Sequence, residues 1–327
     1  MPRVRGQAAF WRCERGKLAI IMVRMGCGTA LVTPFRSDLS VDERALRSLV
    51  EWQIASGIGF LIPCGTTGEA ATLSEQEWLR VISIVAETAA GRVAVYGGAT
   101  SNATHDAVEK AKKLAKVKGL TGILTANPFY NKPGQEGQYR HFRAIAEAVD
   151  FEVILYNIPG RTGVNLEPAT ALRLAELPNV IGIKESSGNI AQITELLTQA
   201  PEGFRVLAGD DSVALPVIAL GGAGLVSVAS NAIPAEMSAM LRAAIDGDWA
   251  TARAVNKRYF RLMQAHFWEP SPAPVKAVMK ILGRLEEESL RLPMTPVTEA
   301  TRKRLESLVG ELGLLESAVA GESRRAS

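Results

Sequence analysis

Short apolar runs alternate with longer amphipathic stretches along most of this chain. Eight runs are short and apolar enough to be buried strands: Thr29–Pro34, Gly59–Cys64, Val93–Gly97, Gly122–Ala126, Glu152–Asn157, Val180–Lys184, Arg205–Ala208 and Gly224–Val228. Stretches with the apolar spacing of helices follow them: Asp42–Ala55, Ser74–Ala89, Thr104–Lys118, Glu136–Val149, Glu167–Leu177, Ile190–Gln199, Ser212–Leu220 and Pro234–Ile245. Eight strand–helix units predict an α/β fold, a (β/α)₈ TIM barrel. A doubly wound sheet is the alternative, but no GxGxxG follows the first strand.

The alternation stops after Gly247, where only helical patterns remain. These cover Trp249–Phe267, Pro274–Leu282 and Thr298–Leu315. We therefore predict four segments: an N-terminal arm over 1–25 that is disordered or precedes the true start, a barrel over 26–247, a small C-terminal helical extension over 248–316, and a disordered tail over 317–327.

Composition narrows the class of protein. The chain has 327 residues, 47% of them hydrophobic and 22% charged, as is usual for soluble globular proteins. Its few cysteines form no CxxC pair, which is typical of a reducing cytoplasm, and its few histidines are not clustered, so no metal site is predicted. These residues are Cys13, Cys27, Cys64, His105, His141 and His266.

Charge and hydropathy give no indication of nucleic-acid or membrane partners. The formal net charge is +3, but residues 1–25 carry +5, so the remainder carries +3 minus +5, or −2. A nucleic-acid groove would need a basic surface that this balance does not supply. No apolar stretch is long enough to span a bilayer, and Leu18–Val23 is too short for a signal-peptide core.

Lys184 is the most informative single residue, because it ends the buried run that begins at Val180. A buried lysine must find a carboxylate partner or lose its proton, and a neutral amine is what Schiff-base chemistry on a carbonyl substrate requires. A surface pair with Glu185, or a side chain that snorkels to the sheet edge, is the ordinary alternative. Gly182 faces the same side as Lys184, so we expect it to leave room for a substrate.

Other polar residues follow the predicted strands and should share the C-terminal rim of the barrel. Thr66 and Thr67 lie in a glycine-bracketed turn that is either an anion cradle or a plain turn. Tyr156 ends a strand and is either catalytic or a core tyrosine, whereas Tyr130 lies in an exposed loop. Arg161 suits a carboxylate, or forms a structural salt bridge. Together they indicate carbonyl chemistry through an imine, and the absence of rim histidines disfavours a metal-dependent aldolase.

Four motifs strengthen this interpretation. Their sequences resemble the dihydrodipicolinate synthase family, part of the pyruvate-dependent class I aldolase superfamily that includes N-acetylneuraminate lyase. The motifs are Gly65–Ser74, Tyr156–Thr162, Ile181–Glu185 and Leu290–Met294, and the likeness runs from about residue 26 to about residue 315.

The resemblance implies four catalytic roles. Lys184 would form the Schiff base with pyruvate, and Tyr156 would donate and accept protons. Thr66 and Tyr130 would complete a proton relay with Tyr156. Tyr130 would reach the site from a neighbouring subunit of a homotetramer, a dimer of dimers.

The resemblance also implies the substrates. Thr67 would bind the carboxylate of pyruvate, and the backbone at Val226 would line the same site. Arg161 would receive the carboxylate of L-aspartate-4-semialdehyde. The expected product is 4-hydroxy-tetrahydrodipicolinate, which leads to diaminopimelate and lysine, and no cofactor is expected besides the covalent imine.

The chain departs from the family pattern at several positions. Glu75 and Trp78 stand where lysine-inhibited members carry histidines, Phe129 replaces a tyrosine, and Ser271 replaces a frequent asparagine. We therefore expect weak or absent inhibition by L-lysine. Two other functions remain open from the sequence: a sister aldolase or lyase acting on a sugar acid or hydroxy-oxoglutarate, and a catalytically silent barrel with a binding role.

Overall fold

A computed structural model describes residues 25–315, and within this range eight parallel strands form a closed barrel. Each strand pairs with the next, and β8 pairs with β1. The strands are β1 (Gly26–Ala30), β2 (Phe60–Ile62), β3 (Ala94–Gly98), β4 (Gly122–Ala126), β5 (Glu152–Asn157), β6 (Val180–Glu185), β7 (Arg205–Ala208) and β8 (Gly224–Ser227). The prediction of a (β/α)₈ barrel is therefore confirmed. The predicted arm, except for Met25, and the predicted tail lie outside the described residues.

Twelve α-helices lie within the described range. They are α1 (Glu43–Ala55), α2 (Glu75–Ala89), α3 (Thr104–Leu114), α4 (Gln135–Glu147), α5 (Pro159–Thr162), α6 (Pro168–Ala175), α7 (Ile190–Gln199), α8 (Ala214–Ala219), α9 (Pro234–Ile245), α10 (Trp249–Ala265), α11 (Ala273–Ile281) and α12 (Glu299–Glu311). Helix α2 begins with a capping box, in which the Ser74 hydroxyl accepts from the backbone N–H of Glu77 and the Glu77 carboxylate accepts from the backbone N–H of Ser74. Within residues 25–315, no helix has the length and apolar content needed to cross a bilayer.

The first strand is the main error in the predicted elements. The sequence pattern places it at Thr29–Pro34, but β1 ends at Ala30. Leu31, Val32 and Thr33 stay buried after they leave the sheet, with only 1% of each exposed. An apolar run in the sequence indicates that its residues are buried, and here the residues stay buried after the strand has ended.

Alternation along the strands separates two apolar regions. One face of each strand packs against the surrounding helices, and the other fills the barrel interior, where Phe60, Tyr96, Ile154 and Leu207 are fully buried. At the N-terminal end of the barrel, the Tyr96 hydroxyl donates to Glu152 at 2.6 Å. The opposite, C-terminal end is the one that presents polar side chains.

A buried ion pair joins the C-terminal helices to the C-terminal end of the barrel. Lys276 of α11 contacts the carboxylate of Glu69 at 2.5 Å, and both side chains are almost completely buried. Lys276 also donates to the carbonyl of Ser289 at 2.9 Å, while the Arg291 backbone N–H donates to Glu69 at 3.2 Å. Glu69 directly follows the turn that contains Thr66 and Thr67. These contacts between Glu69 and the C-terminal extension therefore fix the position of the turn.

Candidate active site

Lys184 and Tyr156 lie side by side at the C-terminal end of the barrel interior. The register of β5 against β6 places them directly opposite each other. The Lys184 ammonium nitrogen is 4.1 Å from the centroid of the Tyr156 ring, and each residue is only 6% exposed. The amine is therefore held against an aromatic hydroxyl-bearing ring in a largely dry environment.

Both ordinary alternatives for Lys184 disagree with this geometry. Glu185 points to the other face of the strand, is 1% exposed, and is hydrogen-bonded to Asn157, Gln192 and the backbone of Ser187. The barrel is closed, so there is no sheet edge to which the amine could snorkel. No carboxylate pairs with Lys184 within residues 25–315, which leaves an unpaired buried amine.

Gly209 leaves room for the side chain of Lys184 itself, whereas the sequence analysis expected Gly182 to leave room beside the amine. A methyl group on Gly182 would overlap the backbone of Arg205 on the neighbouring strand, away from the amine. A methyl group on Gly209 would lie 2.9 Å from the Lys184 Cε. Because Gly209 directly follows the strand that pairs with β6, its position after β7 was the signal that could have identified it.

Thr66 and Thr67 occupy a tight turn after β2. The turn is closed by backbone hydrogen bonds from Gly68 to Gly65 and from Glu69 to Thr66, both at 3.1 Å. Thr67 is buried and Thr66 is exposed, and neither hydroxyl has a hydrogen-bond partner within the described part of the chain. The structure therefore confirms a turn and leaves both hydroxyls available to a ligand.

Tyr130 and Arg161 belong to two neighbouring segments that contact each other. The Tyr130 backbone N–H donates to the carbonyl of Thr162 at 3.3 Å, and Tyr130 has a left-handed backbone with φ of 74°. Its side chain is 87% exposed, and no contact joins it to Tyr156 within this chain. Arg161 lies in the short helix α5, is exposed, and donates to the carbonyl of Ser271 at 3.3 Å. No carboxylate pairs with Arg161 in residues 25–315, which argues against a structural salt bridge.

Val226 lies on β8 in the barrel interior, in the same apolar cluster as Tyr156. The end of β8 is held by Asp211, which accepts a hydrogen bond from the Ser227 hydroxyl at 2.5 Å and from the backbone of Val228 and Ala229 at 3.1 Å. Burial raises the pKa of Asp211 to about 6. The sequence analysis did not single out Asp211, whose contacts fix the end of this strand. No group of His, Cys, Asp and Glu suited to a metal ion occurs among the described residues.

Comparison with known proteins shows the family to which this chain belongs. The sequence profile of the Dihydrodipicolinate synthetase family matches residues 24–312. The chain belongs to this family. Relatives named 4-hydroxy-tetrahydrodipicolinate synthase include one from Acidobacterium capsulatum, 64% identical over 89% of this chain and 96% of that protein, and one from Koribacter versatilis, 58% identical over 91% and 99%. The solved dihydrodipicolinate synthase of Aquifex aeolicus has a TM-score of 0.86 and 40% identity, covering 89% of this chain and 98% of that one.

The departures from the dihydrodipicolinate synthase pattern can now be placed. Glu75 forms an ion pair with Lys113 at 2.6 Å, so its charge is balanced within the chain. Trp78 is buried and donates to the carbonyl of Gly98 at 2.8 Å, and Lys110 lies 5.9 Å from its ring centroid. Lys110 therefore places an ammonium group beside one of the two replaced positions.

Ser271 is a different case. It is 5% exposed and contacts Arg161 through its backbone carbonyl. A backbone contact does not depend on the side chain at that position, so the replacement of asparagine by serine leaves this contact in place.

Proposed function

We propose that this chain condenses pyruvate with L-aspartate-4-semialdehyde to give 4-hydroxy-tetrahydrodipicolinate, with Lys184 as the Schiff-base residue. The observation that carries the proposal is the unpaired, buried amine of Lys184, 4.1 Å from the centroid of the Tyr156 ring. The name shared by the curated relatives supports the same reaction. The reaction makes the chain a lyase that opens the route to diaminopimelate and lysine.

The chemistry follows from an amine and a keto acid. The Lys184 nitrogen adds to the carbonyl carbon of pyruvate, and water leaves as the imine forms. Loss of a methyl proton gives an enamine, whose carbon attacks the aldehyde of the second substrate. The amino group of that substrate then attacks the imine carbon, closes the ring and releases Lys184. The two substrates combine with the loss of one water overall.

Three hydroxyl groups supply the proton transfers in this proposal. Tyr156 is the donor and acceptor nearest the amine, and Thr66 and Tyr130 extend a relay from it. Tyr130 is almost fully exposed in one chain, which supports its use by a neighbouring subunit. A homotetramer arranged as a dimer of dimers would complete each site in this way.

Two separate groups hold the carboxylates. The free hydroxyl of Thr67 and the backbone near Val226 would receive pyruvate, on the side of β2 and β8. The unpaired guanidinium of Arg161 would receive the carboxylate of the semialdehyde, on the side of β5. The two carboxylates are thus kept apart, with the amine between them.

The proposal includes a cytoplasmic location, no cofactor beyond the covalent imine, and no nucleic-acid or membrane partner. Cys27 and Cys64 are free and buried, and burial raises the pKa of both thiols. Two such unreactive thiols suit a reducing compartment.

Borohydride reduction in the presence of pyruvate tests the covalent step. We expect one pyruvate-derived adduct per chain, located on Lys184 by peptide mass spectrometry. A coupled assay with pyruvate and aspartate semialdehyde tests the second substrate. An unmodified mass, or an adduct on another lysine, would overturn the mechanism. Capture on Lys184 without condensation of the semialdehyde would favour a sister aldolase.

A further inference from the structure

Glu185 is a buried carboxylate that the proposed chemistry does not use. It directly follows Lys184, faces away from the barrel interior and is 1% exposed. One oxygen accepts from the backbone of Ser187 at 2.5 Å, and the other accepts from Asn157 at 2.9 Å and Gln192 at 3.2 Å. No cation pairs with it within residues 25–315. Within the described residues its hydrogen-bond partners are neutral N–H groups, and two of these belong to side-chain amides that make further hydrogen bonds.

These donors fix both ends of the segment that carries Arg161. At its start, the Asn157 side chain donates to Asn165 at 2.8 Å and accepts from the backbone of Leu166 at 2.9 Å. At its end, Asn165 and Gln192 exchange hydrogen bonds of 2.8 and 3.2 Å. Arg161 lies between these two fixed points and has no ion pair in the part of the chain that the structure describes.

The same network continues to the segment that carries Tyr130. The carbonyl of Asn165 accepts from Gln135 at 2.8 Å and from Gln138 at 3.1 Å. Gln138 also accepts from Asn127, at the end of β4. The ends of three neighbouring strands are therefore connected by side-chain amides, and Glu185 is the one carboxylate among these connected side chains.

We propose that Glu185 is a positioning residue for the second substrate. Its carboxylate orients the amides of Asn157 and Gln192, and these hold Arg161 and Tyr130 at the rim. The inference rests on the proposed function, because it assigns the semialdehyde carboxylate to Arg161. In the proposed function the carboxylate of pyruvate is bound on the side of β2 and β8, so pyruvate binding and its capture by Lys184 should depend little on this network.

Replacement of Glu185 by glutamine tests this asymmetry with little change in shape. Glutamine has a single acceptor oxygen, so in either orientation its NH₂ group faces an N–H donor and at least one hydrogen bond is lost. We expect the KM for aspartate semialdehyde to rise about tenfold or more, because small misplacements of binding groups are costly. The KM for pyruvate should change less than about threefold, and capture should remain one adduct per chain on Lys184.

Glu152→Gln is the matched control. It makes the same substitution at the opposite end of the barrel, where Glu152 accepts from Tyr96, and should leave the ratio of the two KM values unchanged. If Glu185→Gln does not fold, Gln192→Leu decides the question, since it removes the bonds to Glu185 and Asn165 from a half-exposed helix position. Gln192→Leu should raise the KM for aspartate semialdehyde selectively, by a smaller factor than Glu185→Gln does.

The outcomes separate this inference from the proposed function. If the unaltered protein neither captures pyruvate nor condenses the semialdehyde, the proposed function fails. If the unaltered protein is active but the Glu185 and Gln192 variants change both KM values equally, or neither, Glu185 is not a positioning residue.

Discussion

Two buried lysines lie at the same end of the barrel, and their surroundings differ in one decisive respect. Lys276 is fully buried in the extension and contacts the carboxylate of Glu69 at 2.5 Å. Lys184 is 6% exposed and contacts the ring of Tyr156, with no carboxylate partner in the described residues. One amine is tied into a salt bridge, and the other is left available for reaction.

The pair of Lys276 and Glu69 shows how the fold accommodates a charge that it keeps. Burial lowers the pKa of Lys276, and the carboxylate of Glu69 acts in the opposite direction. The ammonium also lies 4.4 Å from the centroid of the Phe35 ring and donates to the carbonyl of Ser289. Partners on all sides make Lys276 a structural cation. Burial alone therefore does not distinguish the two lysines, whereas the presence or absence of a carboxylate partner does.

We expect the largest effect from a change to Tyr156, the residue whose ring contacts the Lys184 amine. Tyr156→Phe keeps the ring beside the amine but removes the hydroxyl. We expect kcat to fall by about 10²–10⁴, the usual contribution of a general acid–base group. Borohydride capture of pyruvate on Lys184 should persist and serves as the control for folding and binding. A nearly normal kcat would remove Tyr156 from the proton transfers.

The ion pair of the other lysine should control stability. Lys276→Met leaves Glu69 buried and unpaired, so we expect the free energy of unfolding to fall by about 3–5 kcal/mol. Adding Glu69→Gln should recover part of this loss, because the uncompensated charge is then removed. Urea unfolding measures both effects, and capture on Lys184 should remain one adduct per chain. A cost below about 1 kcal/mol for the single variant would contradict the role assigned to the pair.

His266 is a third buried ionisable group, and its surroundings differ from those of both lysines. Neither ring nitrogen has a hydrogen-bond partner among residues 25–315, and burial lowers the pKa of His266 to about 3. In the unfolded chain this histidine takes up a proton as the pH falls through about 6.5, whereas in the folded chain it stays neutral down to about pH 3. The free energy of unfolding therefore decreases as the pH falls below about 6.5. This residue should account for about 2 kcal/mol of the loss between pH 7 and pH 5. Urea unfolding of His266→Asn at both pH values should show a correspondingly smaller loss.

The smallest expected effect concerns a fourth environment, that of Lys110. This half-buried amine donates to the carbonyl of Thr100 at 3.0 Å, and burial lowers its pKa. Its ammonium lies near Trp78, where the family resemblance places the regulatory ligand. A second ammonium group would be repelled there, so we expect little inhibition by millimolar L-lysine. Strong inhibition at sub-millimolar L-lysine, with a raised melting temperature, would show that this pocket still binds it.

The sequence was sufficient to predict the barrel, because strands and helices with one buried face keep a regular spacing of apolar residues along the chain. It also predicted that Lys184 and Tyr156 lie at the ends of buried strands that share one rim, and the register of these strands places the two residues opposite each other. It missed Gly209, although the position directly after β7 was a signal for it. It assigned no role to Glu185, because the hydrogen bonds of Glu185 with another strand and a helix leave no periodic signal along the chain.

The pairing of Glu69 with Lys276 has a consequence for the order in which the protein is made. The two residues are 207 positions apart in the chain. During synthesis, the turn with Thr66 and Thr67 leaves the ribosome long before the cation that will hold Glu69 exists. The barrel strands can pair successively as they emerge, but this turn reaches its final support only after α11 has been translated. The turn with Thr66 and Thr67 is therefore among the last parts of the molecule to be completed.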